Sequence, residues 1–255
     1  VRLVRDEEDL NKAVQIRHAA YARHMPAVAE SLRLPEKIDT EDGVVVLLAE
    51  SKLDGSPLGA ARIQTNQFRP LGLEESVELP DWLRGQSLAH ISRLGIVQGS
   101  GGRLVKFMLF KGLFKYWEQN GVDWAVVAAR TPLDRMYQQL LFEDVFPGQG
   151  FTPLPHMNNV PHRVMSFSPA HAKANWAACQ HPLYEFVFET RHPDIDLATS
   201  AQMNFPWICP EADFDMESAP APLSGFGPMS RYDYLSNSVD INLDTLANTV
   251  GGFSA

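Results

Sequence analysis

Apolar and polar positions follow two periods along the first 190 residues, and the switches between them mark the elements. VRLV at the start predicts a short strand. Asp6 to Met25 reads as a helix, with acids gathered in its first turn and Pro26 to end it. A second short helix is expected over residues 27–33. The unbroken apolar run VVVLLAES (44–51) predicts a buried strand, LDGSP a turn, and PLGAARIQT (57–65) the returning strand of a hairpin. Residues 66–86 read as a loop carrying acidic side chains. HISRLGIV (90–97) is the next strand, followed by a helix over 103–118 that Asn120-Gly121 stops. VDWAVVAAR (122–130) predicts another buried strand. TPLDRMYQQLLFEDVF (131–146) predicts a helix with a Thr cap and Pro in its first position, and HRVMSFS (162–168) a last strand. Strand, helix, helix, three strands, helix, strand, helix, strand is the order of an α/β protein with a mixed sheet and helices on both faces.

Two further helices are expected, over 168–179 and 183–190. Beyond residue 192 the pattern is lost. The stretch 204–229 is rich in Pro, Ser, Gly and Ala, carries many acids and has no period. The expected organisation is therefore one domain over 1–195 and an irregular extension over 196–255 that forms a tail or an arm packed on a partner. No internal repeat is present.

The centre of interest is HISRLGIVQGSGGRLVKFMLFKGLFKYW (90–117), where a strand runs through a glycine turn into a long apolar helix. Such a junction presents backbone N–H groups and the positive end of a helix dipole, with no Cβ atoms to hold a ligand away, so it suits phosphate. Gln98, Gly99, Gly101 and Gly102 form the turn, and Arg103 and Lys106 would add charge. On a helical wheel Phe107, Phe110, Leu113, Phe114 and Trp117 share the apolar face. Lys111, Lys115, Glu118 and Gln119 fall opposite, on the expected wet face. Arg103 and Lys106 fall on the apolar face within the first turn, which predicts that they point past the sheet edge into a cleft. The turn is neither a P-loop nor a G-x-G-x-x-G fingerprint, and a loose turn with solvated cations is the plainer alternative. The aromatic face, like Leu140, Leu141 and Phe142, reads as core before it reads as a lipid pocket.

Charge and composition narrow the partners. With 22 basic and 31 acidic residues the formal net charge is −9, and no basic stripe stands out, which argues against nucleic acid and against an anionic membrane surface. No window holds the ~18 uncharged apolar residues of a membrane span. The two cysteines, Cys179 and Cys209, read as free, buried thiols in a reducing cytoplasm, and VRLVRDEEDL carries no signal-peptide pattern. His156 and His162 lack metal-ligand spacing, so no metal site is expected. The oligomeric state is left open.

Several phrases resemble a known family. The turn matches the pattern Gln/Arg-x-x-Gly-x-Gly/Ala of the GNAT acyltransferases at Gln98 and Gly101, with Arg103 in the last position. HISRLGIV, FMLFKGLFKYW, DWAVVAARTPLDRMYQQLLFEDVFP, PHRVMSF and HPLYEFVFETRHPDI together resemble the FeeM-type N-acyl amino acid synthases, relatives of the acyl-homoserine-lactone autoinducer synthases. The resemblance spans residues 1–195. It implies a GNAT fold and transfer of a long fatty acyl chain from acyl carrier protein, or from CoA, to the amine of an amino acid, with no permanent cofactor. The autoinducer-synthase pattern of an arginine and an aromatic four residues on falls at Arg17 and Tyr21. Its Asp-x-x-Asp falls at Asp39 and Asp42, its hairpin arginine at Arg62, and its Glu-x-Ser-Arg at His90, Ser92 and Arg93. Its intervening tryptophan is absent from residues 22–38.

That alignment makes His90 the candidate base, since a neutral imidazole titrates near working pH, and Ser92 a further catalytic candidate. The resemblance to GNAT enzymes, many of which use a tyrosine as acid for the leaving thiol, makes Tyr137 the candidate for that role, with a tyrosine that merely packs as the plainer alternative. Strand alternation places His90 and Ser92 on one face and Arg93 on the other. The Asp39/Asp42 pair is expected to hold Arg17, Arg62 or Arg93 in structural ion pairs before it binds an amine, and an arginine left over would suit an acceptor carboxylate. Three readings remain open: an N-acyl amino acid synthase, an acyl-carrier- or lipid-binding module without chemistry, and an autoinducer synthase proper.

Overall fold

The computed structural model describes residues 1–155 and 159–198, and the backbone alone at Ser100. Their strands are β1 (Arg2–Leu3), β2 (Val44–Glu50), β3 (Pro57–Thr65), β4 (Leu88–Ile96), β5 (Trp124–Ala129), β6 (Glu143–Asp144), β7 (Thr152–Leu154) and β8 (Val160–Phe167). The helices are α1 (Glu7–Ala22), α2 (Pro26–Ser31), α3 (Ser100–Gln119), α4 (Leu133–Gln139) and α5 (Pro169–Ala178), followed by a π-helical turn at Glu185–Glu189. The sheet runs β1-β2-β3-β4-β5-β8-β6, with β7 also on β8. Only β4 and β5 are parallel; their neighbours pair antiparallel. This is the mixed α/β sheet that the sequence pattern predicts.

Each face of the sheet buries what its period dictates. Gly59 on β3 leaves no room for a Cβ against Val105 and Leu109 of α3, so odd-numbered β3 positions face that helix. Gly95 on β4 lies equally close to the backbone of Arg17 and to Ala20, so the opposite face carries α1. Under α1, Val4, Leu10, Ala13 and Ile16 pack on Val46, Leu48 and Ala60. Around α3, Phe114 packs edge-on against Phe167, Trp176 and Phe188, and Trp117 is wholly buried. The aromatic face of α3 is thus core, as its spacing implies.

Five expectations change. Residues 66–86 are more than an acidic loop: Leu71, Leu73, Leu79 and Leu83 are buried with Leu88, Val126, Val145, Leu154 and Val164 as a second core beside α1. Two short 3₁₀ turns, Gly72–Glu75 and Asp81–Leu83, aim those leucines inward. The helix expected over 131–146 stops at Gln139, because Leu141 turns left-handed (φ 64°) and the Phe142 amide closes onto the Tyr137 carbonyl. Glu143–Asp144 then leaves to pair with β8, where Asp144 forks Arg163 at 3.0 and 2.6 Å. Pro132 precedes α4 and is not within it, and Thr131 is no cap. Lys111 and Lys115 are not on a wet face. Lys111 is buried, with its ammonium donating to the carbonyls of Phe186 and Thr190, and Lys115 donates to Ile195 at 3.1 Å. The segment after α5 thus covers the side of α3 that the wheel leaves to solvent. Cys179 is exposed rather than buried. Cys209, His156 and most of the expected extension lie outside the described residues.

Candidate functional site

The parallel ladder between β4 and β5 runs only from Leu88↔Trp124 to Ile91↔Val127. Both strands continue, β4 to Ile96 and β5 to Ala129, but they part after Ile91. The outer half of β4 therefore has no strand partner on that side and borders a V-shaped opening, where Arg23 donates to the Ile96 carbonyl at 2.9 Å.

A bulge sets its shape. β3 and β4 are in register at Arg62↔Ser92 and again at Ala60↔Gly95, so Arg93 and Leu94 together oppose Ala61. Arg93 carries the left-handed backbone of that bulge, φ 55°. The extra residue cancels the alternation that would send Arg93 to the far face. Arg93 and Ser92 instead join one cluster, contrary to the expectation from strict alternation.

That cluster holds three guanidinium groups and two carboxylates. Arg17, from α1, forks Asp39 at 2.8 and 2.9 Å, and neither side chain is exposed. Asp39 sits on a 3₁₀ turn (Lys37–Thr40) that its own carboxylate caps by accepting from the Glu36 amide at 2.9 Å. Glu36 is the hub. It accepts from Arg93 at 2.7 and 2.6 Å, from Arg62 at 3.0 Å and from Arg17 at 3.3 Å. Arg62 also reaches Asp39 at 3.2 Å and donates through Nε to Ser92 Oγ at 3.1 Å.

The electrostatics follow from burial and charge together. Burial works to raise the carboxyls of both Glu36 and Asp39. Arg93 at Glu36 and Arg17 at Asp39, joined by Arg62, outweigh it and hold both below the ordinary carboxylate range. Burial pulls Arg62 down. For Arg93 burial is overcome by the hydrogen bonds and charge of Glu36, with Tyr21 beside it, so this guanidinium is held more firmly protonated than usual. Its charge also lies over the Tyr21 ring, 5.9 Å from the centroid.

Of the residues singled out from sequence, Arg17, Tyr21, Asp39, Arg62, Ser92 and Arg93 meet here. Asp42 does not. It is exposed in the turn before β2, and Glu36 takes the place expected for it. Glu36 escaped the sequence reading because no strand or long helix marks it. Its one signal is the spacing in LPEKIDT, two acids three residues apart on a single turn. His90 is buried where β4 still pairs on both sides, opposite Gln64 and Val126. It shares the face of Arg62 and Ser92, about 7 Å further down the strand.

The residues expected to bind the donor lie on α3 and in the turn before it, and Tyr137 lies on α4. The glycines are not a loose turn before the helix but its first turn, since α3 begins at Ser100. Gly99 precedes it with φ 98°. A Cβ on Gly102 would stand 2.4 Å from the Val97 carbonyl oxygen, so only glycine fits there, whereas Gly101 faces open space. Gln98 and Arg103 are exposed and Lys106 is half-buried, its ammonium 5.3 Å from the Phe107 ring centre. Burial, then Arg103, pulls the Lys106 ammonium down. Tyr137 of α4 is buried edge-on between Phe110 of α3 and Phe142. Burial, with the neighbouring Tyr21 phenol, pushes the Tyr137 phenol up, so it keeps its proton at neutral pH.

This is the fold of the GNAT acyltransferases: a mixed sheet whose parallel pair parts ahead of a glycine-started helix. The chain is similar to the solved structure of FeeM, an N-acyl amino acid synthase from uncultured soil microbes, with a TM-score of 0.55 and 15% identity over 70% of this chain and 94% of that one. It also matches aminoglycoside acetyltransferase AAC(6′)-Ib, solved with coenzyme A and kanamycin (TM-score 0.46, 19% identity, 68% and 96% covered). An acyl-CoA N-acyltransferase from Pseudomonas aeruginosa aligns at a TM-score of 0.41 and 17% identity, over 64% and 92%. No family model and no curated protein matches the sequence. Among the described residues no helix is long and apolar enough to cross a membrane, and no group of three or more His, Cys, Asp or Glu side chains is placed to hold a metal ion.

Proposed function

We propose that the protein is an N-acyltransferase that moves a long-chain fatty acyl group from a thioester, carried on acyl carrier protein or CoA, to the α-amine of an amino acid. The observation that carries this reading is the parting of β4 from β5 after Ile91, just before the Ser92 and Arg93 that join the arginine cluster. A thioester entering the V along the free edge of β4 would find backbone groups for its amides and the first turn of α3 for its phosphate. An acceptor on the α1 face would meet the cluster. The similarity to FeeM supports the same reaction class.

The chemistry then needs few groups. The amine attacks the thioester carbonyl carbon, a C–N bond forms and an oxyanion develops. When the carbonyl re-forms the C–S bond breaks and the thiolate leaves. His90, on the acceptor face, is assigned the proton lost from the amine, and Tyr137 the proton given to the thiolate. Ser92 orients Arg62. Gln98, Gly99, Gly101, Gly102, Arg103 and Lys106 are assigned to the donor.

The test is to incubate purified protein with palmitoyl-acyl carrier protein, and separately palmitoyl-CoA, against the common amino acids, and to look for N-acyl products by mass spectrometry. One acylated amino acid establishes reaction and acceptor together. Binding of the acyl carrier protein without product would mean a binding module. Product only in a parallel incubation with S-adenosylmethionine as sole acceptor would mean an autoinducer synthase.

A further inference from the structure

The cluster around Glu36 is unbalanced. Arg17, Arg62 and Arg93 contribute three positive charges and Glu36 and Asp39 two negative ones. Among the described residues no third carboxylate is paired with these arginines. A surplus positive charge in a largely buried place is costly unless an anion joins it.

The surplus is not spread evenly. Arg17 is wholly buried and committed to Asp39 through both terminal nitrogens. Arg62 is 6% exposed and divided among Ser92, Glu36 and Asp39. Arg93 and Glu36 are the two that solvent reaches, at 17% and 23%. Arg93 meets Glu36 through Nε and Nη2, and Nη1 takes no part in that fork. The bulge turns this guanidinium over the Tyr21 ring, and the Tyr21 hydroxyl is its other hydrogen-bond partner.

We infer that Arg93, at the solvent-reached end of the Glu36 cluster, is the seat of the acceptor's α-carboxylate, so that the enzyme selects acceptors by a free carboxylate next to the amine. The inference rests on the proposed N-acyl transfer and adds its specificity element. Glu36 is the positioning residue that fixes Arg93 through its Nε–Nη2 edge, and the charged Nη1 end left outside that fork is what favours a carboxylate over a neutral ester.

The experiment compares the twenty amino acids with their methyl esters and with the corresponding decarboxylated amines, using wild-type protein and palmitoyl-acyl carrier protein or palmitoyl-CoA. Free-thiol release and product mass are read together. A charge-assisted pair lost from a bound acceptor corresponds to about 10- to 100-fold in kcat/KM, and that is the preference expected for the free acid. Esters or amines acylated as well as amino acids would overturn the inference while leaving acyl transfer in place. No product from any acceptor would overturn the proposed function, and this inference with it. In Arg93→Gln the preference should collapse through a raised KM for the amino acid, with Arg93→Lys restoring part of it. Full discrimination in Arg93→Gln would place the carboxylate elsewhere. The acid-against-ester comparison needs no variant, so it stands should Arg93→Gln fail to fold.

Discussion

Arg17 and Asp39 lock α1 to the turn before β2 through two parallel hydrogen bonds of 2.8 and 2.9 Å, with neither side chain reaching solvent. Removing one partner of such a pair strands the other, at a cost of about 3 kcal/mol or more. Asp39→Asn is therefore expected to lower Tm by several degrees. The pH dependence fixes the cause. Asp39 is held below its ordinary carboxylate range when folded, so its contribution is complete above the unfolded value of about 3.9 and is lost as pH falls through the folded one. Glu36 is shifted the same way. Urea melts from pH 7 down to pH 3 should show wild type and Asp39→Asn converging in acid. A gap that stays constant over that range would assign the loss to packing rather than to the ion pair.

Gly101 and Gly102 are neighbours in the first turn of α3 with opposite constraints. A methyl group at Gly102 runs into the Val97 carbonyl, while Gly101 has open space around it and ordinary helical backbone. Gly102→Ala should destabilise by about 1–3 kcal/mol. Gly101→Ala should stabilise by about 0.5–1 kcal/mol, because alanine gives up less chain entropy in a helix. If the turn holds the donor's phosphate by close backbone approach, the same Gly101→Ala raises the donor KM. Thermal melts beside donor titrations separate the two effects. A stabilised variant with unchanged donor affinity would remove the turn from the donor site.

How far the sequence reads can be judged from these same residues. The period-2 and period-3.6 patterns mark all of the longer strands and helices, because burial on one face is what both patterns encode. They miss β6 and β7, two and three residues long, which exist only through pairing with β8. They end α4 late, because the left-handed Leu141 is a tertiary demand on a residue with no such preference. Arg17, Arg62, Ser92 and Arg93 are marked by the resemblance to the autoinducer-synthase pattern. Glu36 is not, and strict alternation puts Arg93 on the wrong face, because a bulge leaves no mark in the spacing of β4. Lys111 shows the remaining gap: a helical wheel places it opposite the core, but it cannot report that residues 186–195 fold back over it.

The assigned proton transfers can be separated by variant. Tyr137→Phe keeps the ring packing against Phe110 and Phe142 and removes only the hydroxyl. Tm should stay close to wild type, kcat should fall about 100-fold and the acceptor KM should move little. His90→Gln should lower turnover by a comparable factor, with donor binding intact. Its rate should also lose the rise on the acidic limb of the wild-type pH profile, as expected when the base is gone. Unchanged kcat in Tyr137→Phe would leave the thiolate to take its proton from water. An unchanged acidic limb in His90→Gln would move the base elsewhere.

Lys111 offers a test of what the segment after α5 does for the domain. Its buried ammonium donates to the carbonyls of Phe186, within the π-helical turn, and of Thr190, just after it. Methionine at this position fills similar volume but leaves both carbonyls without their donor, at about 1–3 kcal/mol each when they stay buried. Lys111→Met should therefore free residues 185–196 first. Limited proteolysis should cut near Thr190 faster than in wild type, and hydrogen exchange should rise there before it rises in α3. Because the π-helical turn places Phe188 against Phe114 and Trp176, its release also uncovers that side of the α3 core, and the melt should broaden as well as shift. If Tm, proteolysis and exchange all match wild type, the aromatic contacts hold the segment without the lysine.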